Sequence, residues 1–215
     1  MKHVAYLHGF ASSADSHKGT TLKDRLSGVV PVHTPDMNRP SFEKLTYTGM
    51  LDYLDTLDAE LPDTTKWYLI GSSLGGYVAA RWAELHPERV ERLVLLCPAF
   101  DMVERWKELL GGPIVYKLWE RNGVFYFPDH NDEPKPVHFE IISDARTNHP
   151  ARPSVSCPTV IVHGSEDETV PIQYSEEYSK AHPNVTLKRV KDDHNLLESI
   201  DVIEGIVRSH FGLDG

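Results

Sequence analysis

The chain has 215 residues, 40% of them hydrophobic and 25% charged, with 22 Lys and Arg against 32 Asp and Glu and a formal net charge of −10. That length suits one domain able to bury its own core, and the acidic balance argues against the clustered basic surface that nucleic acid or an anionic membrane requires. Two cysteines, Cys97 and Cys157, cannot build a disulfide scaffold and read as buried thiols in a reducing compartment.

Apolar and β-branched character at Val4–His8 predicts a first strand ending in His8-Gly9. A helix over Thr20–Leu26 and a short strand at Val29–Thr34 follow. From Ser41, read as a helix cap, the apolar positions Phe42, Leu45, Met50, Leu54, Leu57 and Leu61 recur at near-helical spacing. Trp67–Ile70 reads as a strand, Gly76–Leu85 as a helix and Val90–Cys97 as the most apolar strand. Pro98 to Pro158 gives no strand signal, crowds Trp106, Tyr116, Trp119, Phe125, Tyr126 and Phe127 together, and turns polar at 128–136. A structureless loop of that length would be unusual, so a mostly helical excursion over one end of the sheet is expected. Thr159–His163 is the next strand, then a helix at Ile172–Ala181, a strand at Val185–Val190, and a last helix striped by Leu196, Ile200, Ile203, Val207 and Phe211. Such alternation implies an α/β fold, a parallel sheet covered on both faces. Ligand sites in such sheets form at the carboxyl ends of the strands.

Met1-Lys2-His3 leads straight into Val4-Ala5-Tyr6-Leu7, too short an apolar core for a signal peptide. The longest near-continuous apolar run, Leu93 to Phe100, falls well below the roughly 20 residues that span a bilayer. A cytoplasmic protein without a membrane span is the expectation.

Gly71-Ser72-Ser73-Leu74-Gly75 matches G-x-S-x-G between a predicted strand and a predicted helix. A turn that sharp needs small residues two before and two after the serine, and it leaves the Ser73 hydroxyl exposed at a helix N-terminus. A serine hydroxyl is a weak nucleophile and needs a base, which in turn needs an orienting acid. His194, in Asp192-Asp193-His194-Asn195, follows the last predicted strand and is the candidate base; His86, His149 and His182 each precede Pro in turns, and His163 reads as packed at a strand end. Asp167, in His163-Gly164-Ser165-Glu166-Asp167, is the candidate acid. Asp101, after the strand at Val90–Cys97, is its rival, while Asp193 adjoins the base and is poorly placed to face it. A negative oxygen in the reaction would need backbone donors, for which the N–H groups of Leu74 and Phe10 are the candidates. H-E-x-x-H, paired cysteines, clustered His/Asp spacings and the Lys of a phosphate loop are all missing from the sequence, so neither metal nor cofactor is expected.

With HGF at 8–10, GSSLGG at 71–76, HGSEDETVP at 163–171 and the DDHNL stretch at 192–196, the chain resembles the α/β-hydrolase superfamily over nearly its whole length. Within it the chain looks like the small bacterial serine esterases. Residues 121–171, with GSSLGG, are also similar to mammalian acyl-protein thioesterases that cleave acyl glucuronides. The resemblance implies a trimmed sheet of about six strands, helices on both faces and a small helical cap, with residues 1–215 as one domain and 98–156 as the cap. It assigns Ser73 as nucleophile, His194 as base, Asp167 as its partner, and Phe10 and Leu74 as the oxyanion hole. The aromatics of the cap either line an acyl pocket or pack the cap onto the body. A carboxylesterase acting through an acyl-enzyme is expected, with an acyl thioesterase as the alternative and a non-catalytic binding protein as the distant one. The partner is a small-molecule ester or thioester, with no nucleic acid, and the chain is taken to be a monomer or weak homodimer.

Overall fold

The computed structural model describes residues 2–214. In chain order its elements are β1 (Lys2–Leu7), α1 (His17–Leu26), β2 (Val32–His33), α2 (Tyr47–Ala59), β3 (Lys66–Ser72), α3 (Leu74–Leu85) and β4 (Val90–Leu96). Then come α4 (Met102–Leu109), α5 (Pro113–Asn122), β5 (Val124–Pro128), β6 (Pro134–His138) and α6 (Glu140–Asn148). The chain closes with β7 (Thr159–Gly164), α7 (Ile172–Ala181), β8 (Val185–Val190) and α8 (Ile200–Phe211).

Six strands form one parallel sheet in the order β2-β1-β3-β4-β7-β8. Side chains alternate between its faces along each strand. Ala5, Leu7, Trp67, Leu69, Leu93, Leu95 and Ile161 bury against one layer, which includes Val78 and Trp82 of α3. Val4, Tyr6, Tyr68, Ile70, Val94, Leu96 and Val162 bury against the other, which includes Leu22 and Leu26 of α1 and Ile203, Val207 and Phe211 of α8. The chain leaves β1 toward one edge of the sheet, to β2, and leaves β3 toward the other, to β4. The loops after β1 and β3 therefore diverge, which opens a crevice at their carboxyl ends.

Helix α2 starts at Tyr47, not at Ser41. Thr46 has extended backbone, and its side chain accepts from the Gly49 N–H at 3.0 Å, so the cap lies there. Ser41 instead closes a turn, accepting from the Lys44 N–H at 3.3 Å. Leu196 lies outside α8, buried in the preceding loop with φ 54°. The segment between β4 and β7 departs furthest from expectation: besides three helices it holds the antiparallel ribbon β5–β6. Pro134 and Pro136 hide β6 in the sequence, because proline lacks the N–H of a central strand; a two-stranded ribbon tolerates it. Trp106, Tyr116, Trp119, Phe127 and Val137 of this segment join the apolar layer that holds Leu7 and Leu95.

Candidate active site

Ser73 stands between β3 and α3 with φ 54° and ψ −117°, a left-handed backbone that an L-residue rarely adopts. Its neighbours show why the turn holds. The Ser73 N–H donates to Leu96 O at 2.8 Å, and the Ala99 N–H donates to Ser73 O at 3.0 Å, tying the turn to the end of β4. A Cβ on Gly71 would lie 2.3 Å from Gly75 O, and one on Gly75 would lie 2.2 Å from Leu7 O. Both glycines are therefore fixed by the closeness of the backbone.

The Ser73 Oγ lies 3.0 Å from His194 Nε2, and His194 Nδ1 lies 2.7 Å from Asp167 Oδ2. An ionised carboxylate can only accept, so Nδ1 carries the proton and Nε2 presents its lone pair to the serine hydroxyl. Asp167 lies on the loop after β7, its side chain fully buried, and four donors converge on it. Oδ1 accepts from the N–H groups of Thr169 (2.9 Å) and Val170 (2.8 Å), and Oδ2 accepts from His194. The fourth is His163 Nε2, 3.2 Å from Oδ2, whose proton is shared with Val170 O at 2.9 Å while Nδ1 faces Ser175 Oγ at 2.8 Å. Burial alone would raise the Asp167 pKa, but the bonds from His163 and His194 outweigh it and hold the carboxyl well below the usual range. His163 is thus more than a packed strand end. Its signal was its spacing of four residues from Asp167, the one near the end of β7 and the other on the loop that follows. Asp192 fixes the His194 loop by accepting from the N–H groups of Asp193 (2.8 Å) and Ser199 (2.9 Å). Gly164 lets the two loops touch, since a Cβ there would come 2.4 Å from Asp192 O.

His8 shapes the other wall. The Met37 N–H donates to its Nε2 at 2.9 Å, so its Nδ1 carries the proton and donates to Gly9 O at 2.9 Å. Burial, opposed by the Gly9 bond and by Asp36, keeps the pKa of this ring low and favours the neutral form. In a trans peptide the C=O and the following N–H point in opposite directions. Pinning Gly9 O toward the ring therefore turns the Phe10 N–H away from it. Leu74 is the first residue of α3, where N–H groups have no intrahelical acceptor. Both Phe10 and Leu74 line the space in front of Ser73.

Two cavities meet at Ser73 and His194. One, of about 350 Å³, is walled by Phe10, Tyr47, Leu74, Met102, Trp106, Phe127 and Ile141. The other, of about 680 Å³, is lined by Ser12, Ser13, His17, Lys18, His130, Asn131 and Asn195. Lys18 donates to Asn195 O at 2.5 Å, and burial pulls its pKa down against the pull of Asp193 and Asp192. The aromatic segment divides its labour: Trp106 and Phe127 face the first cavity and stack edge-on with Phe10 at 5.2 and 5.3 Å, whereas Trp119 is fully buried, its indole N–H bonded to Val137 O.

The rival carboxylates sit elsewhere. Asp101 pairs with Arg152, and Asp193 accepts from the Asn195 N–H at 2.7 Å. Folding also gathers a set that sequence spacing does not reveal: ligand-type atoms of Cys97, His163 and Asp167 lie within 4.8 Å of one another. The His163 nitrogens and the Asp167 oxygens are engaged in the bonds given above, and burial pushes the Cys97 thiol up, keeping it protonated. This trio serves as a hydrogen-bonded web.

Sheet order, elbow and loop placement together define an α/β-hydrolase fold. A structure from Agrobacterium vitis S4, provisionally described as a hydrolase, is 25% identical, with 97% of this chain and 87% of that one covered and a TM-score of 0.79. Est1E from Butyrivibrio proteoclasticus, solved with ferulic acid bound, is 21% identical over 98% of this chain and 88% of its own, with a TM-score of 0.77. Mouse alpha/beta hydrolase domain-containing protein 10 is 21% identical over 98% and 89%, with a TM-score of 0.74. The chain itself belongs to the Uncharacterised protein family (UPF0227), which it matches over residues 3–208. No described helix is long and apolar enough to cross a membrane.

Proposed function

We propose that this protein is a serine hydrolase that cleaves carboxylic esters through an acyl-enzyme. The observation that carries the reading is the continuous chain Asp167–His194–Ser73, with spacings of 2.7 and 3.0 Å, opening where an apolar and a polar cavity meet. Ser73 gives its proton to His194 Nε2 as its oxygen attacks the ester carbonyl. The oxyanion is received by the N–H groups of Leu74 and Phe10, a device worth about 10²–10³ in turnover per donor. His194, now an imidazolium steadied by Asp167, protonates the departing alcohol, and a water activated by the same ring releases the acid. The acyl group occupies the side walled by Trp106 and Phe127, and the alcohol the side of Lys18 and His130.

The named neighbours support this reading through their fold and, for Est1E, through the phenolic acid it holds. Hydrolysis of p-nitrophenyl esters from acetyl to palmitoyl, by wild type and by Ser73→Ala, tests it. Turnover confined to the wild type is expected, with an optimum set by the apolar cavity. Equal turnover in both proteins would overturn it. A thioester meets the same residues, and the matched acyl thioesters in the same assay decide the leaving group.

A further inference from the structure

Lys18, Lys107 and Lys135 are the half-buried lysines of the chain; the others stand exposed. Lys107 pairs with Glu104 at 2.6 Å and Lys135 with Glu133 at 2.8 Å. Lys18 has no ion-pair partner among the described residues, in a chain whose formal net charge is −10. Its one hydrogen bond runs from Nζ to Asn195 O at 2.5 Å. Asn195 is exposed and adjoins the base His194, and both partners of that bond wall the polar cavity that opens on Ser73. The ammonium therefore sits at the surface of this cavity, on the side where the leaving group of an ester attacked by Ser73 would lie.

An ammonium has three N–H donors, and one of them is used here. A cation withdrawn from water with no opposite charge beside it is disfavoured, and an anion brought into contact restores the balance. The pKa of Lys18 reflects that deficit: burial pulls it down, opposed by Asp193, Asp192 and Asp167 from beyond ion-pair range. Those three carboxylates are already engaged, Asp192 with the N–H of Ser199, Asp193 with that of Asn195, and Asp167 with His194. Asp15, exposed on the same wall, makes no ion pair with Lys18 either. Neutral donors stand nearby on that wall. Ser12 and Ser13 are half-buried there, and neither hydroxyl has a hydrogen-bond partner among the described residues.

We propose that the polar cavity binds a leaving group that carries an anion, a carboxylate or a phosphate, with the Lys18 ammonium as its principal partner. This rests on the serine hydrolase reading and narrows it to esters of anionic alcohols. The chemistry at Ser73 is unchanged; Lys18 meets the part of the substrate that departs and so selects it.

The test uses hexanoyl esters of glycolate, 3-hydroxypropanoate and 4-hydroxybutanoate, each beside its carboxamide, which keeps the shape and removes the charge. The hexanoyl ester of 2-hydroxyethyl phosphate beside its dimethyl phosphotriester does the same for phosphate. In at least one pair, wild type should favour the anionic ester in kcat/KM by about tenfold, the value of one charge-assisted hydrogen bond. Lys18→Met, which keeps the stem, should bring that ratio to about one, and Lys18→Arg should keep most of it. A merely structural role, holding the His194 loop through Asn195 O, would lower both members of a pair alike and leave the ratio in place. A wild-type ratio near one in every pair, or a ratio unchanged in Lys18→Met, would overturn the proposal. Should Lys18→Met not fold, wild type alone decides: raising NaCl from about 0.02 to about 0.5 M should raise KM several-fold for the anionic ester and leave its neutral partner unchanged, and an equal response would refute the charge contact. Binding is read separately, by calorimetry with the same pairs on Ser73→Ala, where the anionic ester should bind about tenfold more tightly and equal affinities count against the site. If wild type turns over no ester, the hydrolase reading fails, and the calorimetry alone decides whether the cavity takes an anion.

Discussion

Ser73 is held in a left-handed backbone by hydrogen bonds to Leu96 and Ala99, and it contributes little apolar contact. Ser73→Ala should therefore abolish ester turnover while leaving the unfolding transition in place, measured by activity and circular dichroism on the same sample. Asp167→Asn should cost up to about 10⁴ in kcat, because the amide can donate to His194 and favour the wrong tautomer. Asp101→Asn, on a residue paired with Arg152, should leave kcat within a few-fold; the opposite ranking would move the acid to Asp101. His8 acts at one remove, by holding Gly9 O so that the Phe10 N–H faces away from the ring. Replacing it by Leu should lower kcat by about 10² with a small change in KM, since the lost contact belongs to the oxyanion. Ser73, Asp167 and His194 were legible because each follows a strand of a parallel sheet. His8 and His163 were harder to assign because their roles lie in hydrogen bonds to backbone and to other side chains, which spacing does not display.

At the level of elements, the elbow between β3 and α3 depends on a backbone contact that no side chain can enter. Gly75→Ala would drive a methyl to 2.2 Å from Leu7 O, so α3 must retreat from β1. Such overpacking costs about 1–3 kcal/mol and should also displace the Leu74 N–H, lowering stability and kcat together. The segment carrying α4 to α6 walls the apolar cavity instead, with Met102, Trp106, Phe127 and Ile141. Trp106→Ala would enlarge the apolar cavity, and the preferred chain length in the ester series should move upward, with an unchanged optimum counting against that placement. Strands β1, β3, β4, β7 and β8 were readable from their apolar, β-branched runs. The ribbon β5–β6 was not, because its second strand carries two prolines and its pairing depends on a partner across a polar turn.

For the whole molecule, the sheet order brings residues far apart in the chain to one crevice, and the charge of that crevice ties stability to pH. Asp167 has a folded pKa below its unfolded value, because the bonds from His163 and His194 outweigh burial. Its contribution is complete above the unfolded carboxylate value of about 3.9 and is lost as pH falls through the folded value. Unfolding free energy should thus decline from about pH 5 toward pH 2, and Asp167→Asn should decline less steeply. The alternation of strands and helices made the layered sheet legible from the sequence. The two cavities that meet at Ser73 were not, because their walls come from six or more separate stretches, from Tyr6 to Leu197. The most direct test of an activated serine at that meeting point needs no knowledge of the natural substrate. Incubation with a fluorophosphonate, followed by intact-mass and peptide mass spectrometry, should give a single adduct on Ser73 that is absent from Ser73→Ala and much slower in His194→Ala. An unlabelled wild type, or labelling of a residue other than Ser73, would contradict the account.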